Sequence, residues 1–322
     1  MNIDLLIENL QNPALLFFGL GILAVLLKSD LEIPPNSSKF IAIYLLFAIG
    51  FKGGNELRHE TLDQEVIATI LFGLASAVII PIITFFLLRR VVSVFDAGAI
   101  AAAYGSVSAV TFVTAVNYLE MKGLPMHGHL VALMAMMEAP AIIMGLLLIS
   151  IFNREESDQI KKRHAIQHAF TNGSVLLILG SLVIGLLANE QQAEGIKPFT
   201  NDIFKGFLVL FLLDMGITSG RNLRGFLRGG IVPILFALIM PLLLGVTIAV
   251  ISGWFSSDPS DRFILAILGA SASYIAVPAA MKMAVPKANP GLYLPMALAI
   301  TFPVNITIGL PLYFAFVEGG LW

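Results

Sequence analysis

The chain of 322 residues is 57% hydrophobic and 12% charged, with a mean hydropathy of +0.89. An ordinary soluble domain is about a quarter charged, so this is the composition of an integral membrane protein. A formal net charge of -2 supplies no global basic field for nucleic acid or acidic partners, and zero cysteines exclude disulfides and cysteine-ligated metals.

The N-terminus, MNIDLLIENLQNP, carries Asp4 and Glu8 and lacks the basic start of a secretory signal. It is read as part of the mature chain. A bilayer core takes about 20 apolar residues per helix. Apolar runs at 13–29, 38–53, 66–88, 96–119, 128–152, 171–189, 202–219, 230–254, 261–283 and 291–317 give ten expected spans. The second is short and the seventh contains Asp214. The only long hydrophilic connection, 153–170, divides the chain into halves of five spans, 1–152 and 171–322.

The halves resemble each other. Gly50-Phe51-Lys52-Gly53-Gly54-Asn55-Glu56-Leu57 aligns with Gly216-Ile217-Thr218-Ser219-Gly220-Arg221-Asn222-Leu223 at an offset of 166. Asp96 aligns with Asp261, Ser106 with Ser271 and Ser108 with Ser273 at 165, and Pro140 with Pro303 at 163. Five spans per repeat force opposite orientations, so the expected fold is an all-α membrane protein of two inverted five-helix repeats. Transporters of that design bind substrate near the midplane, between interrupted helices at corresponding places. The Lys/Arg asymmetry puts six basic residues on one side and thirteen on the other. The richer side is cytoplasmic, making 153–170 a cytosolic linker and leaving both termini outside a bacterial inner membrane. Lys161-Lys162-Arg163 then anchors that side and contacts anionic membrane lipids.

The interruptions are the runs 105–111, GSVSAVT, in the fourth span and 269–280, GASASYIAVPAA, in the ninth. Unpaired backbone groups cost several kcal/mol each in hydrocarbon, so a helix breaks only where protein or a water-filled cavity pairs them. Exposed amides at half-helix starts favour an anion. Ser106, Ser108, Thr111, Gly269, Ser271 and Ser273, with Pro278 at the second break, are the expected anion site. The alternative is that small residues simply let helices approach closely; the duplication favours a site. Glu138 in the fifth span is a functional carboxylate by default. Na⁺ or a proton offsets its burial, with Thr301, Asn305 and Ser108 as neutral oxygens for Na⁺. The competing role is a hydrogen bond to backbone freed by Pro140. Asp214 lacks a repeat counterpart and reads as a packing carboxylate; Asp96 and Asp261 read as helix caps. Gly19-Leu20-Gly21-Ile22-Leu23-Ala24 fits a loose dinucleotide pattern but follows no strand. His127 with His129, or His164 with His168, are metal-ligand candidates against a reading as solvated turn residues. Without further ligands no metal besides Na⁺ is expected.

Several of these residues together resemble the sodium-dependent bicarbonate transporter family of cyanobacteria. They are Gln11-Asn12-Pro13-Ala14-Leu15, Thr171-Asn172-Gly173-Ser174-Val175, both breaks, Glu138-Ala139-Pro140-Ala141, and Pro286-Lys287-Ala288-Asn289-Pro290 followed by Tyr293. The resemblance covers essentially the whole chain. It implies broken, crossing fourth and ninth helices and a homotrimer. Spans one, two, six and seven would form a scaffold or gate domain, and spans three to five and eight to ten a core. It also implies Na⁺-coupled bicarbonate uptake by an elevator-like movement, with no organic cofactor and no enzymatic activity. Glu138 stands where the family pattern has an aspartate. Tyr274, after Ser271-Ala272-Ser273, stands where that pattern has an acid, which removes a Na⁺ ligand. The linker is shorter than the family's, so a PII-like soluble regulator is an uncertain transfer. The rival functions are a cation/proton antiporter, which calls for paired acids where Glu138 is followed by Ala139, and a membrane sensor, which calls for more cytosolic chain than 153–170.

Overall fold

The computed structural model describes residues 11–61, 63–153, 173–226, 230–274, 277, 280–281 and 284–319. Residues 154–170 of the linker, with Lys161-Lys162-Arg163, His164 and His168, lie outside the described residues, as do Thr171, Asn172 and Pro278.

Among the described residues there is helix and no strand. In chain order the helices are α1 (Pro13–Leu26), α2 (Pro35–Leu57), α3 (Gln64–Leu88), α4 (Val94–Gly105), α5 (Ala109–Met121) and α6 (Gly128–Phe152). After the linker come α7 (Gly173–Leu187), α8 (Glu190–Lys197), α9 (Phe204–Phe226), α10 (Ile231–Ile251) and α11 (Pro259–Ala270). The last segment, α12 (Pro290–Val317), runs as one rod through π-helical turns at Met296–Thr301 and Asn305–Gly309.

Helix starts follow local chemistry. Asn12, Asp63, Ser93 and Asp258 each accept a first-turn amide with their side chains. The caps of α4 and α11 are therefore Ser93 and Asp258. Asp96 and Asp261, expected as caps, sit one turn later at the third helical position, where the helix dipole still favours a carboxylate.

Ten spans were expected, and among the described residues seven helices are long and apolar enough to cross a membrane. The expected first and sixth spans are apolar but short. Pro13–Leu26, at 14 residues and about 1.5 Å each, falls short of a hydrocarbon core about 30 Å thick. The expected ninth span is divided at 271–274, with Val277, Ala280, Met281 and Ala284 helical beyond the break. The second span, short as a hydropathy run, extends through polar ends to 23 residues. The short helix α8, closed by an Asn189–Gln192 capping box, was not foreseen.

Glycines set the closest helix contacts. A Cβ on Gly21 of α1 would lie 2.3 Å from the Leu213 carbonyl of α9, and one on Gly216 would lie 2.1 Å from the Phe18 carbonyl. The α2/α7 pair repeats this: Gly54 against the Leu182 carbonyl at 1.9 Å, Gly185 against the Phe51 carbonyl at 2.2 Å. The glycines of the loose dinucleotide pattern are thus helix residues, with Gly21 turned to α9 and Gly19 to open space. Asp214 accepts the Ser38 hydroxyl at 2.6 Å and ties α9 to α2. Helices α3, α4 and α6 pack together, as do α10, α11 and α12. The surface carries Leu20, Leu71, Phe86, Leu187 and Leu243, while Ser106, Glu138 and Asn305 are buried. Apolar outside and polar inside is the arrangement hydrocarbon solvent selects.

Candidate functional site

Helix α4 ends at Gly105 and α11 at Ala270, and the next residue of each is a serine with extended backbone. Ser106 has φ -90° and ψ 170°, and Ser271 has φ -84° and ψ 168°. The two breaks lie against each other and satisfy each other's backbone. The Ser273 amide donates to the Ala103 carbonyl at 2.8 Å, and the Ser108 amide donates to Ser271 Oγ at 3.2 Å. Interrupted helices persist in hydrocarbon only with such replacement partners. Beyond its break the first chain segment restarts as α5, whose cap Ser108 accepts the Thr111 amide at 3.2 Å.

Around this crossing the polar groups divide into those already engaged and those left over. Ser271 Oγ donates to the Leu268 carbonyl at 3.0 Å while accepting from Ser108. Asn305 donates to the Ala270 carbonyl at 2.8 Å and accepts the Tyr313 hydroxyl at 2.8 Å. Thr301 donates to the Ala237 carbonyl at 2.8 Å and lies 2.7 Å from the Tyr104 hydroxyl. Ser271 and Asn305 thus brace the second break, while Thr301 ties α12 to α10 and to the Tyr104 side chain of α4. In contrast, Ser106 Oγ, Thr111 Oγ1, Glu138 Oε2 and the Tyr274 hydroxyl are buried without a hydrogen bond of good geometry among the described residues. An unsatisfied buried polar group costs about 1–3 kcal/mol, so these oxygens stand to gain from a polar occupant; the Tyr274 hydroxyl has the Ser108 side chain beside it.

Part of this set converges on one small cavity of about 20 Å³, lined by Leu46, Val107, Ser108, Ala109, Glu138, Ser273 and Tyr274. That volume holds about one water-sized occupant. Of the expected anion residues, Ser108 and Ser273 line it together with the expected cation residue Glu138. Gly269 does not; its Cα faces the Ile248 side chain in the last turn of α11. Sequence reasoning did not place Leu46 here, because α2 reads as a plain apolar span. It noted Tyr274 only as a departure from a family pattern, whereas the ring stands in the cavity wall.

A wider opening of about 790 Å³ lies between α2, α5 and the Pro198–Asp202 turn. Glu120 of α5 pairs there with Lys52 of α2 and, at 3.7 Å, with Lys205 of α9.

Over residues 13–318 the chain matches the family model described as the Na⁺-dependent bicarbonate transporter superfamily. No curated protein matches it.

Proposed function

The chain belongs to the Na⁺-dependent bicarbonate transporter superfamily, and from that premise we propose that it carries bicarbonate, or a similar small monovalent anion, together with Na⁺ by alternating access. The observation that carries this reading is the interlocked pair of breaks with Glu138, Ser108, Ser273 and Tyr274 around one buried cavity. Ser108, Ser273 and the free amides at the start of α5 meet the anion, with Ser106 and Thr111 as further hydroxyls. Glu138 and Ser108 meet Na⁺. Asn305 and Ser271 hold the backbone at the end of α11, and Thr301 ties α12 to α10.

Coupling follows from charge. A carboxylate and an anion about 4 Å apart repel by about 4 kcal/mol at an effective dielectric constant of 20. Na⁺ on Glu138 cancels that repulsion, so each ion strengthens binding of the other, as linkage requires. One wall of the cavity is Leu46 of α2, so movement of the core, α3–α6 with α10–α12, against a scaffold of α1, α2, α7 and α9 would open and close the site. The exchanged glycine contacts, α1 with α9 and α2 with α7, support an inverted repeat, because a two-fold axis relating the halves maps one pair onto the other.

The test is uptake of radiolabelled bicarbonate into proteoliposomes. Uptake driven by an inward Na⁺ gradient is expected. Uptake indifferent to that gradient overturns the coupling, and no uptake overturns the substrate. The antiporter reading draws on the same bare Glu138 Oε2, now as a proton carrier. It requires Na⁺-driven proton movement, read by dye quenching, with no bicarbonate present.

A further inference from the structure

The loops before α3, α6 and α11 bring together residues far apart in sequence. His127 Nδ1 lies 2.7 Å from Asp261 Oδ1 and 3.9 Å from Asp258 Oδ1. One ligand atom from each of these three side chains falls within 4.8 Å of the others. Beneath them His129 is buried with a carboxylate on each ring nitrogen. Nδ1 is 3.0 Å from Glu60 Oε2 and Nε2 is 3.2 Å from Asp261 Oδ2. The second approach lacks hydrogen-bond geometry.

We propose that His127, Asp258 and Asp261 form a binding site for a divalent transition-metal ion of the Zn²⁺ type, unrelated to the transported Na⁺. Zn²⁺ bonds of about 2.0–2.2 Å to nitrogen and oxygen place tetrahedral ligands about 3.3–3.6 Å apart. The separations from His127 Nδ1, 2.7 Å to Asp261 Oδ1 and 3.9 Å to Asp258 Oδ1, lie on either side of that spacing, and the shorter one is a hydrogen bond that a bound ion would replace. Even with both imidazoles protonated the cluster keeps one negative charge. Glu60, Asp258 and Asp261 are three carboxylates facing two imidazoles. The neighbouring Arg262 turns its guanidinium to the Val317 and Ala249 carbonyls instead.

The supporting contacts are those a metal site needs. Glu60 accepts the Gly128 amide and, at 3.4 Å, the His129 amide, which fixes the start of α6 beside His127. His129 lies 3.2 Å behind Asp261 Oδ2, at ion-pair distance, the place from which an outer-shell partner orients a metal-ligating carboxylate. Asp258 is fixed by the Ser260 and Asp261 amides at 2.7 and 3.2 Å on one oxygen. His127 and Asp258 are only half-buried, so an ion reaches them from the surface and a water completes the fourth position.

Binding is measured on the full-length, tag-free, metal-stripped protein in detergent, with uptake left out of the readout. Zn²⁺ is expected to raise the unfolding midpoint and to titrate at one ion per chain, while Mg²⁺ does neither, because the site offers an imidazole nitrogen. His127→Gln is expected to weaken Zn²⁺ binding by about tenfold or more, and His129→Gln, through lost orientation, by about tenfold. If His127→Gln does not fold, Asp258→Asn carries the same expectation. The proposal is overturned if Zn²⁺ binds no tighter than Mg²⁺, or if the variants bind Zn²⁺ as the parent does; protons on both imidazoles then offset most of the cluster's charge.

Discussion

Glu138 lies two residues before Pro140 inside α6 and is 7% exposed, with Oε2 unpaired. A buried carboxylate in that position is costly in any uncompensated charged state. Its neutral isostere should therefore fold as well or better while losing the cation. We expect Glu138→Gln to leave the unfolding midpoint unchanged or raised and to lower Na⁺-stimulated bicarbonate uptake by about tenfold or more, since one charged ligand is worth at least about 1.4 kcal/mol of binding. Undiminished Na⁺ stimulation would remove Glu138 from the cation site. Tyr274 gives a complementary case. Tyr274→Phe removes a buried hydroxyl that lacks a good hydrogen bond, so stability should rise by up to about 1 kcal/mol. Uptake should fall if that hydroxyl meets substrate. A variant matching the parent in transport makes the ring a wall and nothing more. The carboxylate was legible in the sequence because an acid in an apolar span stands out. Which of its neighbours keep free oxygens was not, since Ser271 and Ser106 read identically and differ only in what the fold sets beside them.

At the scale of helices, the close pairs rest on glycine. A Cβ at Gly54 would meet the Leu182 carbonyl at 1.9 Å and the Leu186 amide nitrogen at 2.8 Å. Backbone atoms have no rotamer to yield with, so Gly54→Ala must part α2 from α7 and is expected to cost about 1–3 kcal/mol. Gly19→Ala meets nothing within 4 Å and should instead gain about 0.5–1 kcal/mol of helix preference. Thermal unfolding in one detergent compares the two. Equal midpoints would mean that α2 and α7 are not packed this tightly. Span positions were visible as hydropathy, which is local. The caps Ser93 and Asp258 and the helix α8 were missed, because a cap is chosen by backbone geometry one turn before the apolar run begins.

For the whole molecule, a chain with no cysteines makes orientation in the membrane directly testable. His59 and Arg90 are both exposed, at opposite ends of α3. In intact cells His59→Cys should react with a membrane-impermeant thiol reagent and Arg90→Cys should react only after permeabilisation. The opposite pattern inverts the topology. The loops carrying Glu60, His127 and Asp258 meet on one face, which by this orientation is the outer one.

Composition and hydropathy alone determined that the chain lies in a membrane and where most helices run. The duplicated serines alone marked where two helices break, because hydrocarbon makes an interrupted helix too costly to be incidental. Only the tertiary structure decided that the breaks bond to each other, the Ser108 amide to the Ser271 hydroxyl across 163 residues and the Ser273 amide to the Ala103 carbonyl. It alone set Asn305 against the Ala270 carbonyl and Thr301 against the Ala237 carbonyl, put Leu46 in the cavity wall, and gathered His127 with Asp258 and Asp261. The physical reason is the same in each case. A residue's type limits which bonds it can form, but the register of packed helices determines which partner reaches it first.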